Sequence, residues 1–112
     1  MSQQPPAVPG MQLDAVDEDA YLLDVREPDE WAAGHAPQAQ HVPLADVPAR
    51  VDQLPRDRQV VVTCRSGGRS ARATAYLRSV GVDAVNLEGG MKGWAGTGRP
   101  LQSETGGQAE II

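Results

Sequence analysis

The chain has 112 residues, 40% hydrophobic and 22% charged, with a formal net charge of −5. That is one small soluble domain, too short for two, and its acidic balance excludes nucleic-acid binding through a basic surface. No run of about 18 apolar residues exists to cross a membrane, Met1–Pro6 lacks the charged and apolar regions of a signal peptide, and the single cysteine rules out an internal disulfide and points to a reducing, cytoplasmic setting.

Residues 1–7 and 102–112 read as loose tails around one domain over 8–101, because both ends are polar or Pro-rich and carry no hydrophobic period. Tyr21–Val25 is a short apolar run between charged residues, the pattern of a strand buried on both faces. Glu27–Ala33 follows as a helix with Pro28 in its first turn and Gly34 at its end. A brief strand is expected at His41–Pro43. Leu44, Val47, Val51 and Leu54 then recur at helical spacing, with Pro48 expected to interrupt them. Gln59–Thr63, β-branched almost throughout and without a polar side, belongs in the middle of a parallel sheet. Ser70–Val80 reads as a helix capped at Gly81, Val82–Leu87 as a strand, and Met91–Ala95 as a last helical turn or two. With no Phe and only two Trp and two Tyr, the core must be Val, Leu and Ala, and both tryptophans are expected inside it. The alternation predicts an α/β fold: a mostly parallel, five-stranded sheet with helices on both faces.

Ligands of such sheets bind beyond the carboxyl ends of the strands. Cys64 is the first residue there, and only Arg65, Ser66, Gly67, Gly68 and Arg69 separate it from the helix beginning at Ser70. Two glycines let so short a loop turn its backbone N–H groups inward, and the helix N-terminus adds positive potential, which together make an anion site. A free thiol with a pKa near 8.5 is only about 3% ionised at pH 7, whereas helix N-termini and arginines lower it to about 3.5–7.5. Cys64 is therefore the candidate nucleophile rather than inert core. From Arg58 to Val82 there are five arginines and no acidic residue, a local reversal of the chain's charge that draws a small anion to Cys64. Arg72 and Arg78 fit equally a solvated helix face.

Cys64-Arg65-Ser66-Gly67-Gly68-Arg69-Ser70 resembles the active-site loop of single-domain rhodaneses. Leu23–Glu27, Glu30-Trp31, Gly34–Ala39 and Leu87–Trp94 resemble that family's other landmarks in order and spacing, so the likeness covers roughly residues 8–101. It implies a rhodanese-like fold and a ping-pong sulfurtransferase without metal or organic cofactor. Cys64 would take sulfur from a small anionic donor such as thiosulfate and pass it to cyanide, a thiol or a sulfur-relay protein. On that reading the amides of Arg65 to Ser70 hold the thiolate and then the persulfide, while Arg65 and Arg69 attract the donor, Arg69 the better fixed of the two. Asp24 and Arg26 also lie at a strand's carboxyl end. Their expected role is supporting: pairing with each other, with a loop arginine or with backbone amides. His35 sits in a Gly-His-Ala-Pro setting that the resemblance marks as a structural turn, and no sequence-near partner orients it as a base. A cysteine-dependent phosphatase or arsenate reductase would share the cradle, but Cys64 and Arg69 enclose four residues, a ring that suits a lone sulfur better than a tetrahedral oxyanion. A persulfide carrier fed by a cysteine desulfurase would share the loop's chemistry entirely.

Overall fold

Val60–Thr63, the most β-branched stretch of the chain, forms strand β4 at the centre of a parallel sheet in the computed structural model, which describes residues 7–112. The expected N-terminal tail, apart from Ala7, lies outside those residues. The sheet also contains β1 (Gly10–Met11), β2 (Tyr21–Asp24), β3 (Gln40–His41) and β5 (Ala84–Leu87), in the order β1-β5-β4-β2-β3. All four pairings are parallel, with Tyr21 opposite Val60 and Val60 opposite Ala84. β4 is buried along its whole length because both of its edges are paired and both of its faces are covered.

The period of two sorts the strand residues between two cores. Leu23, Val25, Val60 and Val62 pack with Val47, Val51, Ala73 and Leu77, whereas Leu22, Val61, Val85 and Leu87 pack with Ala36, Met91 and Trp94. The helices that cover these faces are α2 (Val47–Arg50) and α3 (Gly68–Ser79) on the first side and α4 (Gly90–Gly96) on the second. α1 (Pro28–Ala33) follows β2. The stretch from Leu44 to Gln53 is broken into a 3-10 turn, α2 and a second 3-10 turn, with Pro48 in the first turn of α2, where the proline's missing N–H costs nothing.

Four local expectations change. β1 has no counterpart in the sequence pattern, since two residues show no periodicity and the free edge of β5 supplies the pairing. β3 stops at His41, before Pro43, which has no N–H to give. Trp31 is half-buried rather than core: its ring stacks on His35 at 3.6 Å and on His41 at 4.7 Å, nearly parallel to both. Trp94 is in the core as expected, with its Nε1–H donating to Pro100 O. The segment 102–112, expected as a tail, lies against α1 instead. Gln102 exchanges backbone hydrogen bonds with His35, the amides of Glu104 and Glu110 donate to Ala32 O and Ala33 O, and Ile111 packs on the second core. Sequence patterns miss this, because backbone groups do the holding.

Asp24 and Arg26 close the carboxyl end of β2. Both are fully buried, and the Arg26 guanidinium grips the Asp24 carboxylate through Nη2 at 2.7 Å and Nε at 2.9 Å. Its remaining donors reach Gly34 O at 2.8 Å and Glu30 O at 3.3 Å. The pair thus ties β2 to both ends of α1, and none of these bonds goes to residues 64–70. Removing one partner leaves a buried charge uncompensated, so Asp24→Ala should cost about 3–5 kcal/mol. A fall in the urea midpoint with an unchanged m-value would be the expected reading, and an unchanged midpoint would refute this role.

Candidate active site

β4 ends at Thr63, and the chain turns at once into the loop 64–67 before α3 begins at Gly68. The turn depends on Gly67, whose φ of +115° an L side chain rarely adopts. Gly68 is different: its φ is not positive and a Cβ there would meet nothing within 4 Å. The expectation that both glycines supply special dihedrals therefore holds for Gly67 alone, because Gly68 is already the first helical residue.

The Gly67 amide donates to Cys64 Sγ, 3.1 Å away, and the Ser70 hydroxyl lies 3.3 Å from the same sulfur. The side chain of Cys64 is almost entirely covered. Burial pushes its thiol up, but the Ser70 hydroxyl and the amides of Ser70, Gly67 and Ser66 outweigh burial and leave it below the ordinary thiol value. The loop is held from behind by α4. The amides of Met91 and Lys92 donate to Cys64 O and Arg65 O at 2.8 and 2.9 Å, an approach so close that a Cβ on Gly90 would sit 2.5 Å from Cys64 O.

The arginines meet partners that no local reading reveals. Arg69, at the loop–helix junction, makes two parallel bonds to Glu30, with Nη1 to Oε1 at 2.7 Å and Nη2 to Oε2 at 2.9 Å. Glu30 Oε1 also accepts from the amide of Glu27 at the start of α1. The Arg69 hydrogen bonds draw the Glu30 carboxyl down to about 2 from an ordinary 4.5, against its burial, and Arg69 is raised in turn, first by the same hydrogen bond. Arg65 is exposed, and its Nε donates to Ile112 O. Arg58 reaches Asp19 O, Arg78 reaches Ala84 O, and Arg72 is exposed. The acid-free segment is thus partly neutralised in space by Glu30, 39 residues away in the chain.

His35 takes no part in this centre. Its Nδ1–H donates to Trp31 O at 2.8 Å, and Nε2 faces the Gln102 side-chain amine. A carbonyl only accepts, so Nδ1 carries a proton inside this turn, and Nε2 also lies 3.6 Å from a Glu104 carboxylate oxygen. Two residues without a role in the sequence reading do belong to the site. Glu30 orients Arg69. Asn86, on β5, bonds both Ser70 and the Gly67 carbonyl. Asn86 was detectable as the polar residue in an otherwise apolar strand; Glu30 sat in a helix turn where any acid would be unremarkable.

The family model described as rhodanese-like domain matches residues 10–97. A sulfurtransferase of Allochromatium vinosum is 44% identical over 90 residues, 80% of this chain and 84% of that protein. YtwF of Bacillus subtilis, named as a candidate sulfurtransferase, is 45% identical over 84 residues, 75% and 82% of the two chains. Among solved structures, a rhodanese-like domain protein from Staphylococcus aureus superposes with a TM-score of 0.76 at 29% identity, covering 85% of this chain and 97% of that one.

The Glu30–Arg69 pair gives the site an acid limit. A carboxyl at about 2 when folded and near 4.5 when unfolded stabilises the fold fully above the unfolded value and loses that contribution as pH falls toward 2. The stability gap between the wild-type chain and Glu30→Gln, measured by urea unfolding, is therefore expected to be open at neutral pH and to close between those two values. A gap independent of pH would overturn the assignment.

Proposed function

Because the chain belongs to the rhodanese-like domain family, we propose that it is a sulfurtransferase that carries sulfane sulfur on Cys64 as a persulfide, with thiosulfate or another small anionic persulfide donor as its source. The observation that carries this reading is the cradle of Cys64: a sulfur at the end of a central strand, with the Gly67 amide at 3.1 Å and the Ser70 hydroxyl at 3.3 Å.

In the first half-reaction the thiolate attacks the outer sulfur of thiosulfate. A bond forms from Sγ to that sulfur, the donor's S–S bond breaks, and sulfite leaves with the electron pair. In the second, cyanide or a thiolate takes the outer sulfur and the pair returns to Sγ. Both states of the carrier are anionic, so the donors that hold the thiolate also hold the persulfide. Arg69 and, from the rim, Arg65 attract the donor's sulfonate. A free cysteine that must be a thiolate to react is best kept where thiols stay reduced, which supports a cytoplasmic setting. Among the described residues no helix is long and apolar enough to cross a membrane.

A second reading is favoured by Arg69 itself. Two of its donors are already taken by a carboxylate, so a free dianion must compete for it, whereas a protein persulfide brings its sulfur without needing that arginine. On this reading the chain is a relay that accepts sulfur from a cysteine desulfurase and delivers it to a partner. Fast transfer from a protein persulfide beside very weak thiosulfate turnover would select the relay; the opposite ratio would select the thiosulfate enzyme.

Intact-mass measurement after incubation with thiosulfate, followed by desalting, should show one added sulfur atom that cyanide removes and that Cys64→Ser never acquires. Absence of the adduct from the reduced wild-type chain would defeat the thiosulfate reading. Arg69→Ala should raise KM for thiosulfate about tenfold or more, the worth of a charge-assisted hydrogen bond, with a smaller effect on kcat; an unchanged KM would remove Arg69 from donor binding.

A further inference from the structure

Ser70 Oγ carries one proton and has two acceptors to offer it to. It stands 3.3 Å from Cys64 Sγ and 2.5 Å from Asn86 Oδ1, and all three side chains are buried. The direction of the Asn86 amide is set at its other end. The Gly67 carbonyl, 3.2 Å away, can only accept, so Nδ2 faces Gly67 and Oδ1 faces Ser70. While Cys64 is a thiol, the short contact keeps the Ser70 proton on Asn86, and the S–H donates to Ser70 Oγ. A thiolate only accepts. Ser70 can hold it only by turning its O–H away from Asn86.

We propose that Asn86 is a positioning residue for the Cys64 nucleophile: its side-chain carbonyl competes with Sγ for the single Ser70 proton, while its amine keeps the Gly67 loop in place. No bond to oxygen breaks in this exchange. The thiol proton leaves to solvent, the Ser70 O–H rotates, and the Oδ1 of Asn86 loses its donor. Asn86 therefore favours the thiol, and sets how much thiolate the loop yields at a given pH. Burial pushes the Cys64 thiol up, and the Ser70 hydroxyl is the foremost of the donors that bring it down, which is why the destination of this one proton matters.

Other charged groups lie on the loop and on the elements around it, and every variant keeps them. They are Arg65 next to Cys64, Arg69 on α3 with its partner Glu30 on α1, the closed Asp24–Arg26 pair at the end of β2, Glu88 after β5 and Lys92 on α4. The proposal deepens the reading of Cys64 as the sulfur carrier and rests on it, so its test uses a reaction that involves no sulfur donor.

The pH dependence of iodoacetamide alkylation of Cys64 in the full chain separates ionisation, read from the midpoint, from access, read from the plateau. Asn86→Leu is expected to move the midpoint to lower pH and raise the thiolate-to-thiol ratio about three- to tenfold, the worth of one released hydrogen bond. Ser70→Ala should move the midpoint to higher pH. In the Ser70→Ala background, Asn86→Leu should no longer lower the midpoint, since that effect passes through the missing hydroxyl and only the loosened Gly67 amide, which raises it, remains. A midpoint that stays or rises in Asn86→Leu, or an equal shift with and without Ser70, would overturn the proposal; a change confined to the plateau would assign Asn86 a merely structural role and overturn it too. Asn86→Ala carries the same expectations should the leucine fail to fold. A Ser70→Ala midpoint that does not rise would refute the proposal by itself. Failure of the persulfide adduct alone would strike the thiosulfate reading and leave these outcomes intact.

Discussion

A sulfur anion held out of water must be met by donors fixed in place beforehand, and here the backbone supplies most of them. The Gly67 amide reaches Cys64 Sγ in a turn so tight that the chain must take a positive φ at Gly67 to enter α3. That conformation is held in turn by Asn86 on the neighbouring strand, whose amine grips the Gly67 carbonyl. The carbonyls of Cys64 and Arg65, which point away from the sulfur, are taken up by the first amides of α4. Each inward-turned N–H thus has an outward-turned C=O that the fold must satisfy, and β5 and α4 are placed where they do so.

Charge around the loop is arranged in two closed pairs with different consequences. Asp24 and Arg26 are wholly buried and exchange almost all their hydrogen bonds with each other and with α1, so they tie the sheet end to that helix. Glu30 and Arg69 are partly exposed at the mouth of the loop. Their pairing keeps the guanidinium oriented near the thiolate but also places a carboxylate where an anionic donor has to approach. An arginine held this way favours donors that can displace or bypass a carboxylate, and this links the geometry of one ion pair to the choice between a small-molecule donor and a protein persulfide.

Much of this was legible in the chain. The β-branched run at 59–63, the strand at 21–25 and the helix at 70–80 were read to within two residues of their observed bounds, because burial on both faces, or on one stripe, imposes a composition. Cys64 was identifiable because a strand, a glycine-bearing turn and a helix follow one another within a few residues, and the contacts that matter most to its sulfur are local. β1 and the path of residues 102–112 were not legible, since backbone pairing at a sheet edge or along a helix leaves almost no trace in side-chain pattern. Trp31 was misplaced because an aromatic can be covered by two imidazoles as well as by a core.

By itself the sequence determined that this is a parallel α/β fold with a cysteine at the carboxyl end of its central strand, because those properties depend on residues close together in the chain. Only the tertiary structure decided what Cys64 and its loop arginine face. Glu30 comes from 39 residues away to occupy Arg69, and Asn86 comes from 16 residues beyond Ser70 to claim its proton. The physical reason is that parallel strands joined by crossovers bring the ends of distant segments to one edge of the sheet, where hydrogen-bond partners are selected by distance in space and not by distance along the chain.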